Sequence, residues 1–143
     1  MTDEQIALAR RAVACKGFRW MPGMRAMRVE EPPFVSEGFD ASKLLGRTCR
    51  VYDVSESGSV RGSSDTFHTT STAYAPDLTD PATVGCLLAL VREAWGMPTG
   101  ITVSYSSDEG LWGVSWSGST HGGWCGRGAT EAEALITALE GAP

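Results

Sequence analysis

Two histidines, four cysteines and two clusters of arginine with tryptophan are the residues of this chain whose types could do chemistry. His68 and His121 stand in no nucleophile-elbow, H-E-x-x-H or H-x-E pattern, and no serine lies in G-x-S-x-G. No catalytic residue is assigned on that ground, and the chain reads as a non-enzyme. His121 and Cys125 are four positions apart, but within a glycine-rich stretch that spacing fixes no common face, and two ligands leave a zinc site incomplete. No metal and no cofactor are expected, and His121 reads first as an exposed loop histidine. Cys15, Cys49, Cys86 and Cys125 form no C-x-x-C pair and read as reduced structural thiols.

Binding is the chemistry that remains. The stretch GSTHGGWCGRG carries five glycines between Gly118 and Gly128 and precedes a helix start. Glycines let backbone amides approach a ligand, a helix N-terminus favours an anion, Arg127 adds a cation, and Trp124 offers a ring for stacking. The pattern is neither G-x-G-x-x-G nor a Walker loop, so the competing reading is a strand-to-helix connection with Trp124 covering core. In the second cluster, Phe18 to Arg28, Trp20 and the methionines Met21, Met24 and Met27 are interleaved with Arg19, Arg25 and Arg28. Arginine beside aromatics grips protein hot spots and nucleotides alike, whereas the plain alternative is core packing with solvated arginines at its edge. The candidate ligand-binding residues are therefore Arg19, Trp20, Arg25, His121, Trp124 and Arg127.

These residues need elements to hold them. Thr2 and Gln5 form a capping-box pattern opening a helix from about Asp3 to Lys16, with Gly17 as its C-cap. The clearest helix lies within Asp77 to Gly96: Asp80 is its N-cap, Pro81 its first residue, and Val84, Leu88, Val91 and Trp95 its apolar stripe, widened by Leu87, Leu90 and Ala94. Thr130 and Glu133 predict a third helix through Leu139, ending at Gly141. Arg47 to Val54 is a strand candidate, and the chain returns through Val60 and Phe67 to Tyr74. Ile101 to Tyr105 and Trp112 to Trp116 alternate around the turn Ser107 to Gly110 and predict a hairpin. Residues 29–46, acidic and proline-bearing, read as an irregular connection. The expected fold is α+β: an antiparallel sheet of about four strands packed with three helices, in the order α-ββ-α-ββ-α.

At 143 residues the chain is one domain, 1–143, able to bury its own core. Its apolar runs are too short to span a bilayer and its first residues are unlike a signal peptide, so a cytoplasmic protein with no membrane partner is expected. A net charge of −5 disfavours double-stranded DNA as a partner. Residues 1–28 nevertheless carry a net +4 against −9 for the remainder, an asymmetry that internal pairing or contact between subunits would absorb.

The segments RWMPGM, CRVYDVSESG, DLTDPATVGCLLALVREAWG and TEAEALITALEGAP, in that order, resemble small proteins of tailed phages and prophages, some of them grouped as a phage "ABA sandwich" type. The similarity runs from about Ala9 to Pro143, is most specific in the helix after Asp77, and is poor over 29–46 and the glycine stretch. Those proteins generally have no assigned activity, so the resemblance implies a phage origin, a cytoplasmic setting within the bacterial host and a layered fold, and transfers no site residue. The expectation it leaves is a non-enzymatic accessory protein that acts by binding a host protein or a small anionic, nucleotide-type signal of host defence. The alternative is a structural or assembly component of the particle acting as a homo-oligomer through self-association.

Overall fold

The computed structural model describes residues 2–29, 51–54, 60–61, 66–67, 74–117 and 123–143. The first helix, α1 (Asp3–Ala14), is opened by the expected capping box: the Gln5 amide donates to Thr2 Oγ1 at 3.2 Å and the Thr2 amide donates to Gln5 Oε1 at 2.9 Å. It stops earlier than its pattern predicts, because Cys15 is already extended (φ −66°, ψ 135°). Gly17 lies beyond the helix end with no left-handed φ, and packs closely: a Cβ there would lie 3.0 Å from Leu139 Cδ1 and 3.4 Å from Ala94 Cβ.

Five short strands follow: β1 (Arg25–Arg28), β2 (Val51–Val54), β3 (Val60–Arg61), β4 (Thr66–Phe67) and β5 (Tyr74–Pro76). They form one antiparallel sheet in the order β4-β3-β2-β1-β5. Next come α2 (Pro81–Ala94), the strands β6 (Ile101–Ser106), β7 (Leu111–Trp116) and β8 (Trp124–Gly128), and finally α3 (Glu131–Glu140). The last three strands make a second antiparallel sheet, β6-β7-β8.

The α+β class holds, with three helices among the described residues, but the strands described there do not follow a single sheet of about four in an α-ββ-α-ββ-α order: they fall into sheets of five and three. Two strands were hidden for physical reasons. In β1 both Ala26 and Met27 are buried, so covered faces on either side erase the period-two alternation that marks a half-buried strand. In β8 the glycines Gly126 and Gly128 imitate a loop. Of the expected strands, residues 47–50 and 68–73 lie outside the described residues, as does all of the 29–46 connection except buried Val29.

The helix α2 starts as its sequence predicts. Asp80 Oδ2 accepts the Thr83 amide at 2.9 Å, Pro81 occupies the first turn, and Gly96 takes a left-handed φ of +64° after the last turn. Its most buried seam is Thr83, Leu87, Leu90 and Val91, with Val84, Leu88 and Trp95 at the margin. One contiguous apolar cluster unites that seam with Met24, Ala26 and Val54 of the first sheet, Ile101 and Val114 of the second, and Leu135, Ile136 and Leu139 of α3. Each fully buried aliphatic side chain there contributes roughly 1.5–3 kcal/mol; a smaller separate cluster joins Ile6 and Ala9 of α1 to Val29 and to Ala75 of β5.

Candidate binding surface

The β6–β7 register pairs Ile101 with Trp116, Val103 with Val114 and Ser104 with Gly113, and β7–β8 pairs Gly113 with Arg127 and Val114 with Gly126. Paired residues share a face, so the inner face carries Ile101, Val103, Val114 and Gly126. The outer face carries Thr102, Ser104, Gly113, Ser115, Trp124 and Arg127.

The glycines of β8 serve the inner face. A Cβ at Gly126 would collide with the Ala134 carbonyl oxygen, and one at Gly128 would stand 2.7 Å from the Ala134 amide nitrogen. Here α3 lies directly on the strand backbone, and only glycine permits that approach. For Gly126 and Gly128 this corrects the reading as a backbone cradle at a helix start: α3 occupies their side of the sheet while Arg127 projects to the other, and residues 118–122 of the stretch lie outside the described residues. The cap of α3 is made within the chain, with the Glu133 amide donating to Thr130 Oγ1 at 3.1 Å. The Glu133 carboxylate accepts the Ala129 amide at 2.7 Å.

On the outer face the benzo edge of Trp124 occupies the space that a Cβ on Gly113 would fill. The indole remains 43% exposed, and among the described residues only Val13 and Tyr105 are other large apolar side chains so open. The Arg127 guanidinium carbon sits 4.8 Å from the Trp124 ring centroid, a cation–π contact, and its Nη1 pairs with Glu109 at 3.1 Å. Small hydroxyl side chains of Thr102, Ser104 and Ser115 surround this unit, with Thr102 and Ser115 in mutual hydrogen-bond contact at 3.3 Å. The result is a flat polar surface with one aromatic plate and one cation.

The Phe18–Arg28 cluster is assembled differently. Arg19 makes a bidentate pair with Glu93, both bonds 2.7 Å, and each partner pushes the other toward its charged form. Trp20 packs its half-buried ring edge-on to Phe18, centroids 5.5 Å apart, against the core. Arg25 donates its backbone amide to buried Thr83 Oγ1 at 2.8 Å, and its guanidinium lies 3.8 Å from Asp80 and 3.9 Å from Asp53. Arg19 reaches α2 and Arg25 sits on β1 of the first sheet, so neither shares a surface with Trp124 and Arg127 on β8. His121 and His68 lie outside the described residues, as does Cys49.

Burial pushes the thiols of Cys15, Cys86 and Cys125 above their ordinary range, which keeps them protonated and poorly nucleophilic at neutral pH. No group of three or more potential metal ligands occurs among the described residues, and no helix there is long and apolar enough to cross a membrane. An open concavity of about 530 Å³ between the end of α1 and the C-terminal residues is lined by Arg11, Cys15, Lys16, Gly17, Leu139 and Glu140. Its cation is already matched, because Arg11 pairs with Glu140 at 2.8 Å. Sequence reasoning missed Gly113, Glu109 and Tyr105. A glycine centred in an alternating strand was the available signal for the first, since it marks a place where another group lies on the backbone.

The molecule so described is a small α+β protein with two antiparallel sheets and an aromatic–cationic outer face. Comparison with family models, with curated proteins and with solved structures returned no match.

Proposed function

We propose that this is a non-enzymatic, phage-encoded accessory protein that acts by binding, and that its ligand surface is the outer face of β6–β7–β8. The observation that carries the reading is Trp124, 43% exposed, laid across Gly113 with the Arg127 guanidinium 4.8 Å from its ring. An exposed indole beside a guanidinium suits a ligand that joins a planar ring to a negative charge, as a nucleotide does: the ring stacks and the phosphate meets the cation. The surrounding hydroxyls add hydrogen-bonding capacity without competing charge. Sequestration of a small nucleotide signal of host defence is the role such a surface would serve, and the phage-protein resemblance supplies its setting.

Glu109 sets the test. Its carboxylate already holds Arg127 at 3.1 Å, so an anionic ligand must compete with it. Titration calorimetry with mono-, di- and cyclic dinucleotides should detect binding that Trp124→Ala and Arg127→Ala each weaken by roughly tenfold or more, as stacking and charge contacts of this kind do. Glu109→Gln should strengthen it by freeing the guanidinium. A panel that gives no heat sinks the small-ligand reading and leaves this face to a host protein.

A further inference from the structure

Among the described residues the strand β6 is a sheet edge that pairs with β7 alone, and its sequence ITVSYS contains no charge, no proline and no bulge, the devices that normally keep edge strands from joining another chain. The phase of its ladder shows which backbone groups are open. The Ser117 amide donates to the Gly100 carbonyl at 2.7 Å, so Gly100, and by alternation Thr102 and Ser104, turn their hydrogen-bonding groups toward β7. Ile101, Val103 and Tyr105 therefore turn theirs outward. The Arg92 guanidinium confirms that phase by donating to the Ile101 carbonyl at 3.1 Å from the open side. Val103 and Tyr105 are left with outward N–H and C=O groups that no described residue satisfies.

We propose that β6 pairs antiparallel with β6 of a second copy of this chain about a two-fold axis normal to the sheet, Val103 lying opposite the partner's Tyr105 and Ser104 opposite the partner's Ser104. This register uses the groups that are open and avoids the Ile101 carbonyl that Arg92 has taken. Val103 and Tyr105 of the two copies form hydrogen-bonded pairs, each exchanging both of its N–H···O bonds. Side chains agree with it. Tyr105, 55% exposed and 5.6 Å from the Trp112 ring, gains an apolar neighbour across the new seam, and on the outer face only hydroxyl side chains meet.

Charge selects a second copy over an arbitrary strand. Arg92 stands at the beginning of β6 with no carboxylate partner among the described residues, and Asp108, exposed in the turn after Ser106, likewise has none. Antiparallel pairing brings the acidic turn of each copy to the start of the other's strand, so Arg92 meets the partner's Asp108 twice by symmetry. The joined sheet would run β8-β7-β6-β6-β7-β8, with Trp124 and Arg127 of both copies on the same side at its two ends.

Light scattering and sedimentation equilibrium over a dilution series of the full chain should show a dimer that dissociates on dilution. Tyr105→Pro removes one outward N–H without touching the β7 ladder, and Tyr105→Lys places a charge on the edge; each should weaken dimerisation at least roughly tenfold while far-ultraviolet circular dichroism stays unchanged. If Tyr105→Pro alone fails to fold, Tyr105→Lys gives the same reading. Asp108→Arg should weaken the dimer roughly tenfold through two new repulsions, and adding Arg92→Glu should restore it. A monomer at every concentration overturns the proposal and leaves the edge to an extended peptide of another protein. A dimer indifferent to both Tyr105 variants, or one that the charge exchange does not rescue, overturns it equally.

Discussion

The Phe18–Arg28 segment and β8 hold the same ingredients, arginine and tryptophan within a few residues, and the fold puts them to opposite uses. In the first, Arg19 is locked to Glu93, Arg25 faces Asp80 and Asp53, and Trp20 fills the flank of the core. In the second, strand alternation sends Gly126 and Gly128 into α3 and Arg127 to the open side, and the register shift at Val114/Ser115 brings Trp124 to that side as well, where it stacks on Arg127. Composition alone cannot separate these outcomes. What separates them is the ring rather than the cation: Arg19 and Arg127 each meet a carboxylate, but Trp20 packs against the core while Trp124 lies 43% exposed on an open sheet face. Three of the six bases in residues 1–28 are paired within the molecule: Arg11, Arg19 and Arg25 all meet acids of the later chain.

The comparison breaks most severely at Gly126. Gly126→Ala forces a methyl into the Ala134 carbonyl and the Ala138 amide, and should cost about 3 kcal/mol or more, seen as a large fall in the urea midpoint. A small loss there would mean that α3 is not seated on β8 and that the glycines are free for another purpose. The two tryptophans give the next largest contrast. Trp20→Ala should destabilise by about 2 kcal/mol, because a half-buried ring leaves a partial cavity, with no effect on ligand. Trp124→Ala should cost under about 1 kcal/mol and act on binding instead. Paired denaturation and calorimetry on both variants would sharpen the division, and a reversed pattern would move the binding surface to the Phe18–Arg28 segment.

How much of this was legible in the sequence depends on what each residue answers to. Caps are local, so Thr2, Asp80 and Thr130 could be read directly, as could the hairpin whose alternation runs from Ile101 to Trp116. Strand β1 was not legible because Ala26 and Met27 are both buried, and a strand covered on two faces has no alternation to show. Strand β8 was misread because a glycine that admits a helix and a glycine that frees a loop are the same letter. Within the candidate site, Trp124 and Arg127 could be named from type, but their common face depends on the Gly113 register, a contact across strands that no local pattern encodes. Arg19 and Arg25 were named on the same grounds, and their partners Glu93 and Asp80 lie on α2, far along the chain.

The joint between β1 and α2 tests the structural role of Arg25 more gently. Thr83 is fully buried; its hydroxyl accepts the Arg25 amide at 2.8 Å and donates to Asp80 Oδ2 at 2.9 Å. Thr83→Val keeps the shape and orphans that amide, which should cost about 2 kcal/mol, whereas Asp80→Ala, which removes the helix cap, should cost about 1 kcal/mol. Thermal melts of the two variants distinguish a strand held by the helix from one merely lying beside it.

The smallest expected effect is also the most specific to charge. Arg11 Nε and Nη2 donate to the two Glu140 oxygens at 3.0 and 2.8 Å, tying α1 to the end of α3, and this contact holds the Glu140 carboxyl below its ordinary range. A carboxylate whose folded pKa is depressed adds stability above its unfolded pKa, about 4.3, and that contribution disappears as the pH falls through the lower folded value. Both side chains are more than a third exposed, so water screens the pair and its worth is about 0.5 kcal/mol. Glu140→Gln should therefore lower stability by that amount at neutral pH and by nothing once the solution is acidic enough to protonate Glu140 in the native protein. Salt should narrow the gap as well, since exposed pairs are screened. Urea titrations of wild type and Glu140→Gln that stay parallel across the acidic range would show that α1 is held to α3 by its buried Ala12 and Leu139 contacts alone, and that the positive N-terminal region needs no acid to hold it.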